Sequence, residues 1–146
     1  MNVTYGWAMS MLNAFKDFLE GMSAERIDEI DALYAEELDF ADPMNQATDR
    51  EHFKRIERDL FKQLKDIRFT VTSMQGDERE GYVSWVMDYR FRFWQRQITG
   101  VSHLKFNGDR RIVYQHDYWD ASFSVYGEFP MIGLMMKGIK ALLAVK

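Results

Sequence analysis

The chain has 146 residues, no cysteine, 47% hydrophobic and 15% aromatic content, and 19 basic against 23 acidic side chains for a net charge of −4. This length and apolar content suit one folded domain spanning residues 1–146 rather than a disordered chain. The missing thiols exclude disulfides, thiol catalysis and zinc–thiolate sites, and the acidic balance without a basic block argues against nucleic acid as a partner.

Trp7 to Phe15 is apolar but lacks a basic leader and a small-residue cleavage pattern, and no apolar run reaches spanning length. The expectation is a soluble, cytoplasmic protein without a membrane partner. Ala8, Met11, Leu12, Phe15, Phe18, Leu19 and Met22 recur at helical spacing. Ser23 is placed to cap a second helix carrying Ile27, Ile30, Leu33 and Tyr34. Leu38 to Ala41 alternates as a short strand closed by Asp42-Pro43, since proline disfavours the helical region for the residue before it. Thr48-Asp49-Arg50-Glu51 has the form of a capping box, and the helix it starts presents Phe53, Ile56, Leu60, Phe61 and Leu64 to a core.

The period then changes. Ile67 to Thr72 alternates as a strand, Gly76-Asp77 supplies a turn, and Tyr82 to Trp94 reads as one long strand. Its face of Trp85, Met87, Tyr89, Phe91 and Phe93 opposes one of Asp88, Arg90 and Arg92. Gly100 to Phe106 is another strand, and Asn107-Gly108 a hairpin signal. Ile112 to Asp120 is the strand after it. Alternation there puts Gln115, Asp117 and Trp119 on one face and Tyr114, His116, Tyr118 and Asp120 on the other, so a carboxylate enters an aromatic environment whichever face is inward. The tail, from about residue 130, reads as an apolar helix whose only charges are Lys137, Lys140 and Lys146, lidding a core or joining a neighbour, with a membrane-surface helix as the lesser alternative because the cationic face is thin. Helices, then a run of strands, predict an α+β domain with helices on one face of a mostly antiparallel sheet.

Leu38-Asp39-Phe40-Ala41-Asp42-Pro43, followed far downstream by His116-Asp117-Tyr118-Trp119-Asp120, resembles the nuclear transport factor 2-like superfamily. The closer resemblance is to its SnoaL-like branch, related to polyketide cyclases, ketosteroid isomerase and limonene-epoxide hydrolase. Leu33-Tyr34-Ala35 and the run from Gly100 to Phe106 also fit that branch. The resemblance implies a cone whose sheet and helices enclose an apolar pocket, no cofactor or metal, and a homodimer formed through the outer sheet face. It places the ketosteroid isomerase base on Asp42, but the two oxyanion donors of that enzyme fall on Phe18 and Ser102, neither of which repeats the tyrosine or the neutral carboxylic acid. The late-strand aspartate of the cyclases and the epoxide hydrolase falls on Asp117. The Arg-x-Asp pair of the epoxide hydrolase is reversed here as Asp88-Tyr89-Arg90.

Asp117 and Asp42 are therefore the candidate catalytic residues, with Tyr34, Trp85, Tyr89, Ser102, Gln115 and Trp119 as ligand contacts. A plainer role stands beside each: Asp42 as a turn former before proline, Asp117 as a satisfied sheet anchor, the aromatics as packing. His52, His103 and His116 form no i, i+4 metal pair, and His116 points away from Asp117 on a strand. The expected ligand is an apolar small molecule. If there is a reaction, it is isomerisation or cyclisation by proton abstraction next to a carbonyl. The alternative is a non-catalytic ligand-binding or dimeric interaction domain.

Overall fold

A computed structural model describes the backbone of residues 3–145 and the side chains of residues 9–122 and 125–145. The side chain of Ala8 and the whole of Lys146 lie outside these described residues. Helix α1 (Val3–Glu20) buries Met11, Leu12, Phe15, Phe18 and Leu19 along one stripe, as the spacing predicts. The second helix is shorter than expected. Ala24–Glu29 is a 3-10 turn, α2 (Ile30–Leu33) is a single turn, and Tyr34 already begins strand β1 (Tyr34–Ala41). Ser23 is extended but makes no side-chain cap.

Strand β2 (Gln46–Asp49) returns antiparallel to β1, and helix α3 (Arg50–Gln63) follows at once. The cap of α3 is Asp49 rather than Thr48: Asp49 is extended and its carboxylate accepts the backbone N–H of His52 at 2.8 Å. Lys54, only 5% exposed, reaches Asp28 and Asp31 at 3.0 Å each, which ties α3 to the preceding turns.

Strands β3 (Lys65–Gly76), β4 (Glu80–Phe91), β5 (Trp94–Phe106) and β6 (Ile112–Trp119) form an antiparallel meander. The sheet order is β2-β1-β6-β5-β4-β3, with β1 and β6 parallel, so Phe40 lies beside Gln115 and Ala41 beside His116. The strand expected over Tyr82 to Trp94 is in fact two. Phe91 pairs with Trp94 across a tight turn in which Arg92 has φ 55°, and Phe93 leaves the aromatic face to stand 93% exposed. Consequently β5 starts at Trp94, six residues before Gly100.

Helices cover one face of this curved, mostly antiparallel sheet, in the α+β arrangement expected. On the outer face Tyr82 stacks on His103 at 4.4 Å and Tyr114 on His116 at 4.0 Å, with His103 edge-on to Tyr114. Each histidine is paired there, His103 with Glu80 and His116 with Asp39, both at 2.9 Å. After β6 come α4 (Ala121–Ser124), a 3-10 turn (Tyr126–Glu128) and helix α5 (Pro130–Leu143). The turn is clamped to β5 by Arg96 and Glu128 at 2.8 and 3.1 Å. The apolar helix α5 packs chiefly on that turn instead of lidding the core.

Candidate functional site

Two concavities mark the sheet. The larger, about 580 Å³, is a shallow depression on the outer face around Ser84, Thr99, Val101 and Tyr118, with Asp120 as the carboxylate at its edge. The smaller, about 90 Å³, lies between the inner sheet face, α1 and α3, and it collects the chemistry. Its walls include Phe15, Phe18, Phe53, Phe69, Met87 and Ile98, and three carboxyl groups reach it: Asp42, Glu57 and Asp117.

Strand alternation delivers the β6 contribution. Gln115, Asp117 and Trp119 all line the cavity, and His116 points to the outer face. The Ser102 hydroxyl, opposite Asp117 across the β5–β6 pair, donates to Asp117 Oδ1 at 2.6 Å. The Gln115 amide donates to both Asp117 oxygens at 3.1 and 3.0 Å. Behind these donors stands a second layer: Trp85 Nε1–H donates to Ser102 Oγ at 2.9 Å, and Tyr34 O–H to Gln115 Oε1 at 2.5 Å. Every hydrogen bond in the network runs toward Asp117. With its amide N–H groups committed to the carboxylate, Gln115 has its carbonyl free to accept from tyrosine, so each member fixes the orientation of the next.

Asp42 closes the β1 end. Its Oδ1 accepts the backbone N–H groups of Met44 and Asn45, each at 2.7 Å, so the expected turn-forming role is realised while the residue also lines the cavity. Glu57 comes from α3, and sequence reading passed over it. It sits in a highly charged helix, between Ile56 and Arg58, where a glutamate ordinarily faces water. A signal was present nonetheless: Glu57 is four residues after Phe53 and three before Leu60, on the apolar stripe.

Burial, and after it nearby negative charge, set the protonation of the two inner carboxyls. Asp117 is pushed up to about 7, above all by desolvation; the bonds from Ser102 and Gln115 oppose the rise and the charge of Asp42 adds to it. Glu57 is pushed up to about 8, first by desolvation, then by the charges of Asp117 and Asp42. Burial, then the charges of Asp117 and Glu57, hold the Tyr34 phenol well above its ordinary range, so it remains a neutral donor. Among the described residues no group of three His, Asp or Glu side chains is placed to hold a metal ion.

The ligand contacts expected from sequence are thus largely brought together: Tyr34, Trp85, Ser102, Gln115 and Trp119 line the same cavity as Asp42 and Asp117. Tyr89 does not. It is buried on β4 near Arg96 and Glu128, outside the lining. Phe18 and Ser102, where the resemblance puts the two oxyanion donors, both line the cavity.

A family model described as the SnoaL-like domain matches residues 15–115. The chain belongs to that family. The match takes in Asp42, Glu57, Ser102 and Gln115 and stops two residues before Asp117. No curated protein matches the sequence. Solved structures similar to this SnoaL-like domain include an NTF2-like protein of unknown function from Exiguobacterium, 17% identical over 75% of this chain and 98% of that one, with a TM-score of 0.66. A protein with a ketosteroid isomerase-like fold from Catenulispora acidiphila, in complex with trimethylamine, is 16% identical over 80% and 88% of the two chains, with a TM-score of 0.68. An LEH-like epoxide hydrolase from M. tuberculosis is 14% identical over 92% and 93%, with a TM-score of 0.63. At these identities the likeness is one of fold, and the chemistry of the SnoaL-like domain rests on its own cavity.

Proposed function

We propose that this SnoaL-like protein is a cofactor-independent isomerase or cyclase that abstracts a proton next to a carbonyl in an apolar small molecule. One observation carries the reading: two carboxyls, at about 7 and about 8, face one apolar-walled cavity. At neutral pH a good fraction of Asp117 is ionised, while most of Glu57 holds its proton.

Asp117 is the base. Its carboxylate takes the α-proton, the C–H electron pair moves into a new carbon–carbon double bond, and the carbonyl π pair moves onto oxygen. Glu57, a neutral acid, donates a hydrogen bond to that oxygen as its charge grows. This is the task of the two oxyanion donors that the resemblance could not find, supplied here from a different element. Returning the proton to another carbon gives isomerisation; attack of the enolate carbon on a second carbonyl of the same molecule gives cyclisation. Ser102 and Gln115 hold the Asp117 oxygens, and Asp42 adds the negative charge that raises both partners. Trp85 and Trp119 wall the site.

A second reading is a non-catalytic ligand-binding or dimeric interaction domain, and the small cavity volume favours the interaction role over ligand binding. About 90 Å³ is room for roughly three waters, well below the volume that encloses a drug-sized ligand. In the catalytic reading this space takes the reacting end of the substrate, and Met22, Met87 and Leu60 in its wall shift to admit the remainder.

Deuterium exchange separates the two. The protein is incubated in D₂O with a panel of enolisable ketones and β-diketones, and loss of the α-proton signal is followed by NMR. The catalytic reading expects exchange that falls about 100-fold or more in Asp117→Asn. Binding of a ketone without exchange, by wild type and variant alike, would favour the binding module.

A further inference from the structure

The apolar side of α5 faces away from the rest of the molecule. With successive residues turned by about 100°, Leu134, Met131, Leu142, Met135, Ile139 and Leu143 follow one another around an arc of about half the helix circumference. Met131, Leu142 and Leu143 are 86%, 83% and 75% exposed. The opposite edge is the packed one. Gly133 is buried there, and a Cβ on it would stand 2.6 Å from the Gly127 carbonyl oxygen. Glycine at 133 thus lets the helix seat on the 3-10 turn, which Arg96 and Glu128 fasten to the sheet. A surface helix normally buries its apolar stripe; this one is seated with that stripe outward.

The charges beside the arc have one sign. Residues 129–146 contain three lysines and no carboxylate, within a chain of net charge −4. On the helical wheel Lys137 falls beyond one border of the arc, next to Leu134, and Lys140 beyond the other, next to Leu143; both are exposed. Fourteen residues reach about 21 Å, short of the roughly 30 Å of a bilayer core, and no helix among the described residues is long and apolar enough to cross one. A two-fold contact between copies through this arc would bring two such lysine sets together.

From sequence a membrane-surface helix is the lesser reading of this tail, and the outward arc favours it. We propose that α5 docks this protein on an anionic lipid surface. The helix lies in the plane of the interface, its apolar arc enters the acyl boundary, and Lys137 and Lys140 extend to headgroup phosphates on either side. The tail leaves the fold beside the candidate site: Tyr126 Oη contacts Met44 Sδ at 3.9 Å, two residues from Asp42. Docking would therefore hold the cavity close to the bilayer, whatever chemistry it performs.

Flotation of the whole protein with vesicles tests the proposal. Wild type is expected to float with phosphatidylglycerol/phosphatidylcholine vesicles, more weakly with pure phosphatidylcholine, and less as salt rises. Lys137→Gln and Lys140→Gln should each lower partitioning onto anionic vesicles by about fivefold. Leu134→Gln with Leu142→Gln should lower it at least tenfold on either vesicle, with circular dichroism and Tm unchanged because these side chains are exposed. Failure of wild type to float with any vesicle overturns the proposal, as does unchanged flotation of the Leu134/Leu142 variant. If wild type fails to float and sediments as a dimer that this variant dissociates, the arc is covered by a second copy instead.

Discussion

Gln115 and Asp117 stand two residues apart on β6, and the amide of the first donates to both carboxylate oxygens of the second, at 3.1 and 3.0 Å. Side chains at i and i+2 share a face of a strand, so this contact follows from the strand itself. It makes Asp117 an acceptor held in place from its own strand, with Ser102 as a second donor from the next one.

Tyr34→Phe should weaken the fold while leaving the apolar packing intact. The substitution removes the hydroxyl that satisfies Gln115 Oε1 and leaves that buried acceptor without its donor, a loss of about 1–3 kcal/mol. Chemical denaturation measures it. The slope with denaturant should stay constant, since little extra surface is exposed.

Gly100→Ala tests the layer behind Ser102. A Cβ at that position would stand 2.5 Å from the Trp85 ring, so the indole must move, and with it the Nε1–H that donates to Ser102. Overpacking of this kind costs about 1–3 kcal/mol. Tryptophan fluorescence should shift along with the stability loss, and Gly100→Ala should bind ligand more weakly than wild type.

Stability should fall as pH rises. Asp117 and Glu57 are raised from 3.8 and 4.5 to about 7 and about 8, so between these limits the folded state holds more protons than the unfolded one. With more protons bound to the native state, the free energy of unfolding decreases with pH. The cost of ionising these half-buried carboxyls is absent below about pH 4 and fully present above about pH 8. Denaturation midpoints between pH 5 and pH 9 check this. Asp117→Asn should flatten the slope.

The reading from sequence succeeded where periodicity and chemistry agree. The β6 alternation put Gln115, Asp117 and Trp119 together, and Asp42-Pro43 ended β1 at the cavity. It failed where a local pattern continued through a tertiary break. Phe91-Arg92-Phe93-Trp94 extends the aromatic alternation and has no Gly, Asn or Pro, so nothing local marked the turn that Arg92 makes with positive φ. Strand β2 is four residues long with one buried side chain, too little to show a period. Glu57 was hidden by its type: a glutamate in a charged helix reads as solvated, although its spacing from Phe53 and Leu60 put it on the inward stripe. Tyr89 was the reverse, an aromatic in phase with Trp85 that lies farther along the strand than the cavity extends.

Glu57 should report on Asp117. The charge of Asp117 helps to hold Glu57 up, so in Asp117→Asn the Glu57 carboxyl should titrate below about 8 while remaining above an ordinary glutamate, because burial persists. Carboxyl ¹³C shifts followed through a pH titration of the variant would detect it. An unchanged Glu57 midpoint would mean that the two groups are insulated from one another.

The same titration on the wild-type protein is the most direct measurement of the central claim, that Asp117 and Glu57 exchange protons near neutrality in one cavity. Two carboxyl resonances should move with midpoints near 7 and 8, the lower one absent and the upper one lowered in Asp117→Asn, and the upper one absent in Glu57→Gln. If every aspartate and glutamate in the protein has titrated by pH 5, neither group is poised for acid–base work, and the catalytic reading is wrong.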